Sequence, residues 1–228
     1  MTVLASLLLA DSRLPTGGHA HSGGVEAAVE RGLLRDEADL ALFLAGRLRG
    51  TGPVIAAIAA AGCFLVADPD PEWDRWDAAM SARIPSAATR EASRAQGAAL
   101  LRTARRVWRC AALETLHQTG RPHHPLVLGA VVAAVGDGPA AAALLAVHHL
   151  LGGACSAAVR LLGLDPIAVA AVQARASRPA GEVALAATHV AREAVAQRDP
   201  RLLPSTGTPL PEVLAELHAR TEVTLFAS

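Results

Sequence analysis

The 228-residue chain contains no lysine, no asparagine and no tyrosine, and these gaps remove classes of function before any motif is read. A P-loop needs a lysine to reach the terminal phosphates of a nucleotide, so nucleotide hydrolysis would have to be supplied by another protein. All 21 basic residues are arginine, a compositional bias that gives arginine no functional meaning by itself, and they balance 21 acidic residues to a net charge of zero. Bulk electrostatic attraction to nucleic acid or to an anionic membrane is thereby excluded, and a charged partner must be met by a local patch. Cys63, Cys110 and Cys155 are widely spaced with no CxxC pair, which gives neither a zinc framework nor a disulfide scaffold and reads as buried reduced thiols. The opening "MTVLASLLLADSR" has no basic residue before its apolar run and an Asp after it, which argues against a signal peptide. With three Phe and three Trp in all, an aromatic-filled sheet gives way to close helix packing around small residues.

Hydrophobic residues make up 52% of the chain, much of it alanine, the best helix former. Apolar positions recur at helical spacing: Val25, Ala28 and Val29; Leu40, Phe43, Leu44 and Leu48; Val183, Ala186, Ala187 and Val190. Proline- and glycine-bearing breaks such as "RGTGP", "ADPDPE", "TGRPHHP" and "GLDP" divide the pattern into nine or ten helices. The reading is an all-α, single-domain bundle over residues 1–228. A proline-rich loop over residues 200–211 leads to a last short helix, with Thr208 as N-cap and Pro209 at its first position. Residues 51–67 and 138–159 are apolar enough to raise a membrane span, the second reaching about 33 Å as a helix. Small residues, paired histidines and paired glycines within the second favour a buried core helix instead.

The stretch "PTGGHAHSGG", residues 15–24, concentrates glycine, histidine and serine near the start. "AHSGG" has the outline of a nucleophile elbow with Ser22 as the nucleophile and His189 or His218 as a triad partner. An elbow needs a preceding strand and an oxyanion loop, which "RLPTGGHA" does not provide. His19 and His21 fall on one side of an extended segment, and imidazole suits nickel, zinc or copper, but no third ligand stands nearby. His148 and Cys155 share a helix stripe about 10.5 Å apart along the axis, too far to hold one ion.

Taken as a whole, "LLLADSRLPTGGHAHSGGVEAAVERG" resembles the N-terminal signature of the urease accessory protein UreF family, through Leu14, Pro15, Gly17, Ser22, Gly24 and Glu26. The resemblance continues in "TREASRAQGAALLR" (Arg90, Glu91, Ser93, Gly97), "HHPLVLGAVVAAVG" (His123, Pro125, Gly129) and "SAAVRLLGLD" (Ser156, Arg160, Leu164), and ends in "TLFAS". It implies an all-helical, cytoplasmic, usually dimeric protein that is not itself an enzyme. Such a protein joins a UreD/UreH-type scaffold and a UreG-type GTPase to deliver nickel into apo-urease. No stably bound cofactor is implied; nickel would be in transit, with His19 and His21 as transient contacts.

On that footing three surfaces are expected to meet partners. Arg102, Arg105, Arg106 and Arg109 at offsets 0, 3, 4 and 7 would line one side of a helix over residues 87–109 and face an acidic patch. His149, Gly153, Ser156 and Arg160 form another stripe, at a homodimer or GTPase interface, with something packing closely on Gly152 and Gly153 and with Arg160 as anchor. The tail, residues 212–228, would dock on the scaffold partner through Leu225 and Phe226.

Overall fold

The computed structural model describes residues 3–11, 13–15, 21–220 and 225–226, which form twelve α-helices and no strand. The all-α reading holds, with two more helices than the sequence breaks announce. The first extra break separates α2 (Val25–Glu30) from α3 (Glu37–Arg49). There the Asp36 carboxylate accepts the N–H groups of Ala38 and Asp39 and starts a new helix. The second separates α6 (Ala87–Val107) from α7 (Ala111–Gln118) at Trp108, whose backbone is extended. Neither proline nor glycine marks that break. Trp108 packs against the core, and α7 buries Leu113 and Leu116, so tertiary burial overrides helix propensity. Arg109 therefore lies beyond the helix and off the expected four-arginine stripe.

At the centre is α4 (Thr51–Leu65), in which Ala56 through Ala61 are fully buried. It is surrounded by α8 (His124–Ala134), α9 (Pro139–Leu162) and α11 (Ser177–Ala196), and α6 packs outside α8. The α4–α8 crossing is close enough to exclude side chains. A Cβ on Gly129 would lie 1.9 Å from the Ala59 carbonyl oxygen, and one on Gly97 of α6 would lie 2.1 Å from that of Pro122. Two glycines of the motif blocks are thus required by backbone approach.

The remaining helices close the bundle. α1 (Val3–Ala10) lies on α9, where Ser6 hydrogen-bonds Asp137. α5 (Trp73–Ser81) buries Trp73 and Trp76, and α10 (Pro166–Arg175) starts on an Asp165 cap. The proline-rich segment contains a 3₁₀ turn at Pro200–Leu202 and is pinned by Arg83. That guanidinium donates to the carbonyls of Pro200 and Leu203, both at 2.9 Å, and of Pro204 at 2.6 Å. α12 (Pro209–His218) follows directly and packs on α2 and α6. Thr208 stands at its N-cap, as expected, but its hydroxyl accepts the Thr51 N–H at 3.2 Å instead of capping α12. Glu212 and Glu216 of α12 in turn accept hydrogen bonds at the start of α6, from the Ser86 and Ala88 N–H groups at 2.9 Å each. The helix expected to stand apart as a docking tail is therefore seated on the body.

The two membrane candidates become α4 and α9. α4 is almost wholly buried. α9 is long and apolar enough to cross a membrane, yet 56% of its most apolar 18-residue window is buried inside the protein, as befits a core helix.

Gly129 and Gly153 should respond oppositely to the same change. Gly129→Ala meets backbone and is expected to destabilise the chain by about 1–3 kcal/mol or more. Among the described residues nothing would lie within 4 Å of a Cβ on Gly153, so Gly153→Ala should stabilise the chain by up to about 1 kcal/mol through helix propensity. Urea denaturation of the two variants checks both signs.

Candidate functional site

The sequence blocks that carry the family resemblance meet in pairs in the folded chain. The block around Arg90 to Gly97 on α6 packs on the block that opens α8. The His123 ring is fully buried between two serines, with Nε2 2.9 Å from Ser81 Oγ and Nδ1 3.0 Å from Ser93 Oγ, and its backbone N–H donates to Asp77 at 2.7 Å. Arg94 donates to both Asp77 and Ser81. Arg90 donates to the carbonyls of Ile84 and Pro85, and Glu91 accepts from Arg121 at 2.6 Å. These residues fix the α5–α6–α8 junction.

The opening block meets the tail. Gly23 and Gly24 take positive φ of 62° and 89°, turning the chain into α2. The Ser22 hydroxyl oxygen, in a residue only 1% exposed, accepts the Glu26 N–H at 3.3 Å. Ser22 thus helps to start a helix; it lacks the exposure of a nucleophile elbow, and there is no strand among the described residues. Pro15 is joined to α6 through its carbonyl, which accepts from Thr103 at 2.8 Å. Glu26 holds the backbone of Leu225 and Phe226. Gly17 and His19 lie outside the described residues.

Between these junctions lies a cavity of roughly 830 Å³, lined among others by His21, Arg47, Ser93, His124, His149 and Phe226. The His124 and His149 rings are 5.6 Å apart between centroids, and His148 follows at 5.9 Å from His149. His149 Nε2 donates to the Leu9 carbonyl at 2.9 Å. Burial, reinforced by the neighbouring imidazoles His149 and His21, pushes His124 down to about 3. Burial likewise takes His149 to about 4 against the pull of its Leu9 hydrogen bond, and lowers His21. The cavity therefore presents neutral imidazoles. Among the described residues no three His, Cys, Asp or Glu side chains are arranged to hold a metal ion.

A partly buried cation also borders the cavity. Arg47 donates to the Gly23 carbonyl at 2.8 Å, while its Nε is buried without a hydrogen-bond partner. Burial lowers its pKa to about 10 against the attraction of Glu212, whose own pKa burial raises.

The expected partner-binding residues are spread over the surface. Arg102, Arg106 and Arg109 are exposed, whereas Arg105 is turned onto Glu114, with Nε 3.0 Å from its carboxylate. On α9, Ser156 and Arg160 are exposed. Among the described residues a Cβ on Gly152 would meet only the Gln173 side chain, at 3.5 Å, and one on Gly153 nothing within 4 Å, so none of these residues supplies the close packing expected on the paired glycines, which line the cavity. Leu225 is 75% exposed but Phe226 only 4%, lying 4.4 Å beneath the Arg160 guanidinium. The imidazole cluster and the grip of Glu26 on the tail escape a sequence reading, because each joins elements distant in the chain; the "HHP" block was the one visible pointer.

Acid should expose the buried imidazoles. His123, pushed by burial to about 4, joins His124 and His149 in staying neutral when folded, whereas unfolded histidine takes up a proton near 6.5. Between pH 6.5 and about 4 the unfolded chain binds more protons, so stability is full above 6.5 and falls as pH drops, by up to about 1.4 kcal/mol per pH unit for each histidine. Denaturation at pH 7, 6 and 5 should show this slope, and His124→Gln should reduce it by about 1 kcal/mol per pH unit.

Comparison with known proteins gives this arrangement a family. The UreF family model matches residues 34–177. The chain is 44% identical over 232 residues to the urease accessory protein UreF of Mycobacterium sp. (strain JLS), 44% over 229 residues to that of Mycolicibacterium vanbaalenii, and 42% over 229 residues to that of Mycobacterium marinum. In each case the match covers 100% of both chains. Motif blocks that lock into one another across the fold agree with that likeness: the chain belongs to the UreF family of urease accessory proteins, which are not enzymes.

Proposed function

We propose that within urease maturation this chain bridges a UreD/UreH-type scaffold protein and a UreG-type GTPase, so that nickel passes into apo-urease in the cytoplasm. The observation that carries the reading is the uncovered face of α9. Among the described residues nothing would lie within 4 Å of a Cβ on Gly153, and Ser156 and Arg160 on the same helix are exposed. A helix face of small residues ending in an exposed arginine suits close approach by another protein, either a second copy of this chain or the GTPase. The exposed Arg102, Arg106 and Arg109 suit an acidic patch, since guanidinium forks match carboxylates. Leu225 and the α12 surface suit the scaffold partner. The neutral imidazoles of His21, His124 and His149 suit brief contact with nickel as cargo, because an incomplete ligand set lets the ion leave again.

Co-purification with the scaffold protein and the GTPase tests the bridging role, and the expected result is one complex containing all three. Arg102→Glu with Arg106→Glu should slow its assembly by about tenfold at low salt, with a smaller effect at high salt. Unchanged association at low salt would remove the arginine patch from the interface. His21→Ala with His124→Ala should lower urease activation in cells at limiting nickel and spare it at abundant nickel. Full activation at limiting nickel would remove these imidazoles from the route.

A further inference from the structure

The grip on residues 225–226 is built from groups that packing alone would not call for. One carboxylate oxygen of Glu26 accepts the Leu225 N–H at 2.7 Å and the other accepts the Phe226 N–H at 3.0 Å. His218 Nε2 donates to the Phe226 carbonyl at 3.1 Å. Glu26 and His218 are 4% and 3% exposed, and burying such groups is costly unless each is hydrogen-bonded. Three hydrogen bonds thus read the backbone of a bent dipeptide, whose successive N–H groups turn to the same carboxylate. A pocket under Arg160 reads an aromatic ring at the second position, and the side chain at the first points outward.

From this geometry we propose that Glu26, His218 and Arg160 form a peptide-binding site for a short bent segment with an aromatic residue at its second position, occupied by the chain's own tail as a releasable plug. Two observations make the plug releasable. Phe226 forms part of the wall of the central cavity, so its departure opens that cavity outward and leaves no sealed void in the packed core. His218 Nε2 already lies 3.5 Å from Glu26 Oε2, so when the Phe226 carbonyl leaves, the imidazole has a replacement acceptor and the carboxylate a donor. Of the three hydrogen bonds lost on release, this contact replaces the one made by His218 and one of the two made by Glu26, and the other carboxylate oxygen is left to water entering the opened cavity. Release would hand Leu225 and Phe226 together to an outside surface and uncover the imidazole-lined cavity. The site itself is a property of the isolated chain and does not rest on any partner assigned above.

A labelled peptide with the sequence of residues 219–228 reports on the site by fluorescence anisotropy with the full-length chain and no partner protein. In the native chain the tethered tail competes at an effective concentration on the order of millimolar. The peptide should accordingly bind the Phe226→Ala chain at least about tenfold more tightly than the native one. Adding Glu26→Gln to that chain, or replacing the peptide's own phenylalanine with alanine, should weaken binding at least about tenfold, from the lost charged acceptor or the lost ring. Arg160→Ala, a surface change that leaves the fold intact, should weaken it about two- to fivefold. Should Glu26→Gln fail to fold, the Arg160→Ala chain and the altered peptide decide the matter. A folded Phe226→Ala chain that does not bind the peptide, or binds it regardless of these changes, would overturn the proposal. Its failure would leave the co-purification result untouched, because no partner enters the measurement.

Discussion

The crossing of α4 and α8 is the constraint on which the other contacts depend. Where a Cβ on Gly129 would fall 1.9 Å from the Ala59 carbonyl oxygen, the two backbones touch. No side chain separates them, and their spacing cannot relax to accommodate one. The small residues of α4, buried throughout Ala56–Ala61, let α9 and α11 close in around it as well. A chain poor in aromatics thus obtains a dense core by bringing helices together.

That rigid centre sets the junctions where the motif blocks meet. α8 begins at His124, so its distance from α4 also fixes where the His123 ring can sit between Ser81 and Ser93. At another boundary of the same cavity, Glu26 on α2 and His218 on α12 hold the two tail residues. The polar groups at both places are buried and, apart from His218 Nδ1, hydrogen-bonded, which makes them demanding of geometry and well suited to fix one arrangement. They differ in what lies opposite: His123 faces helices on every side, whereas the tail faces a cavity and solvent.

The all-helical class, the approximate helix count and most boundaries were legible because Pro, Gly and capping residues mark them. The start of α10 at Pro166 after Asp165 is one such case. The break at Trp108 was not legible, because burial of Leu113 and Leu116 by the returning α7 is a tertiary effect with no local signal. That break placed Arg109 outside the helix, and Glu114, beyond the break, engaged Arg105. The glycines show the same division: Gly97 and Gly129 could be seen as motif positions, but only the packed backbone explains them. Close packing was expected on Gly152 and Gly153, but among the described residues only the Gln173 side chain would meet a Cβ on Gly152 and none would meet one on Gly153. His21, His124 and His149 could each be read as a lone histidine, and what brings them to one cavity is the fold around α4.

The molecule divides into a core locked by backbone contact and a tail held by exchangeable hydrogen bonds, and amide hydrogen exchange on the free chain tests that division most directly. The amides of α4 and α8 around Ala59 and Gly129 should exchange only through global unfolding, while those of Leu225 and Phe226 should exchange through a local opening. Exchange of the α4 and α8 amides as rapid as that of the tail, or tail amides protected to the full global stability, would contradict it.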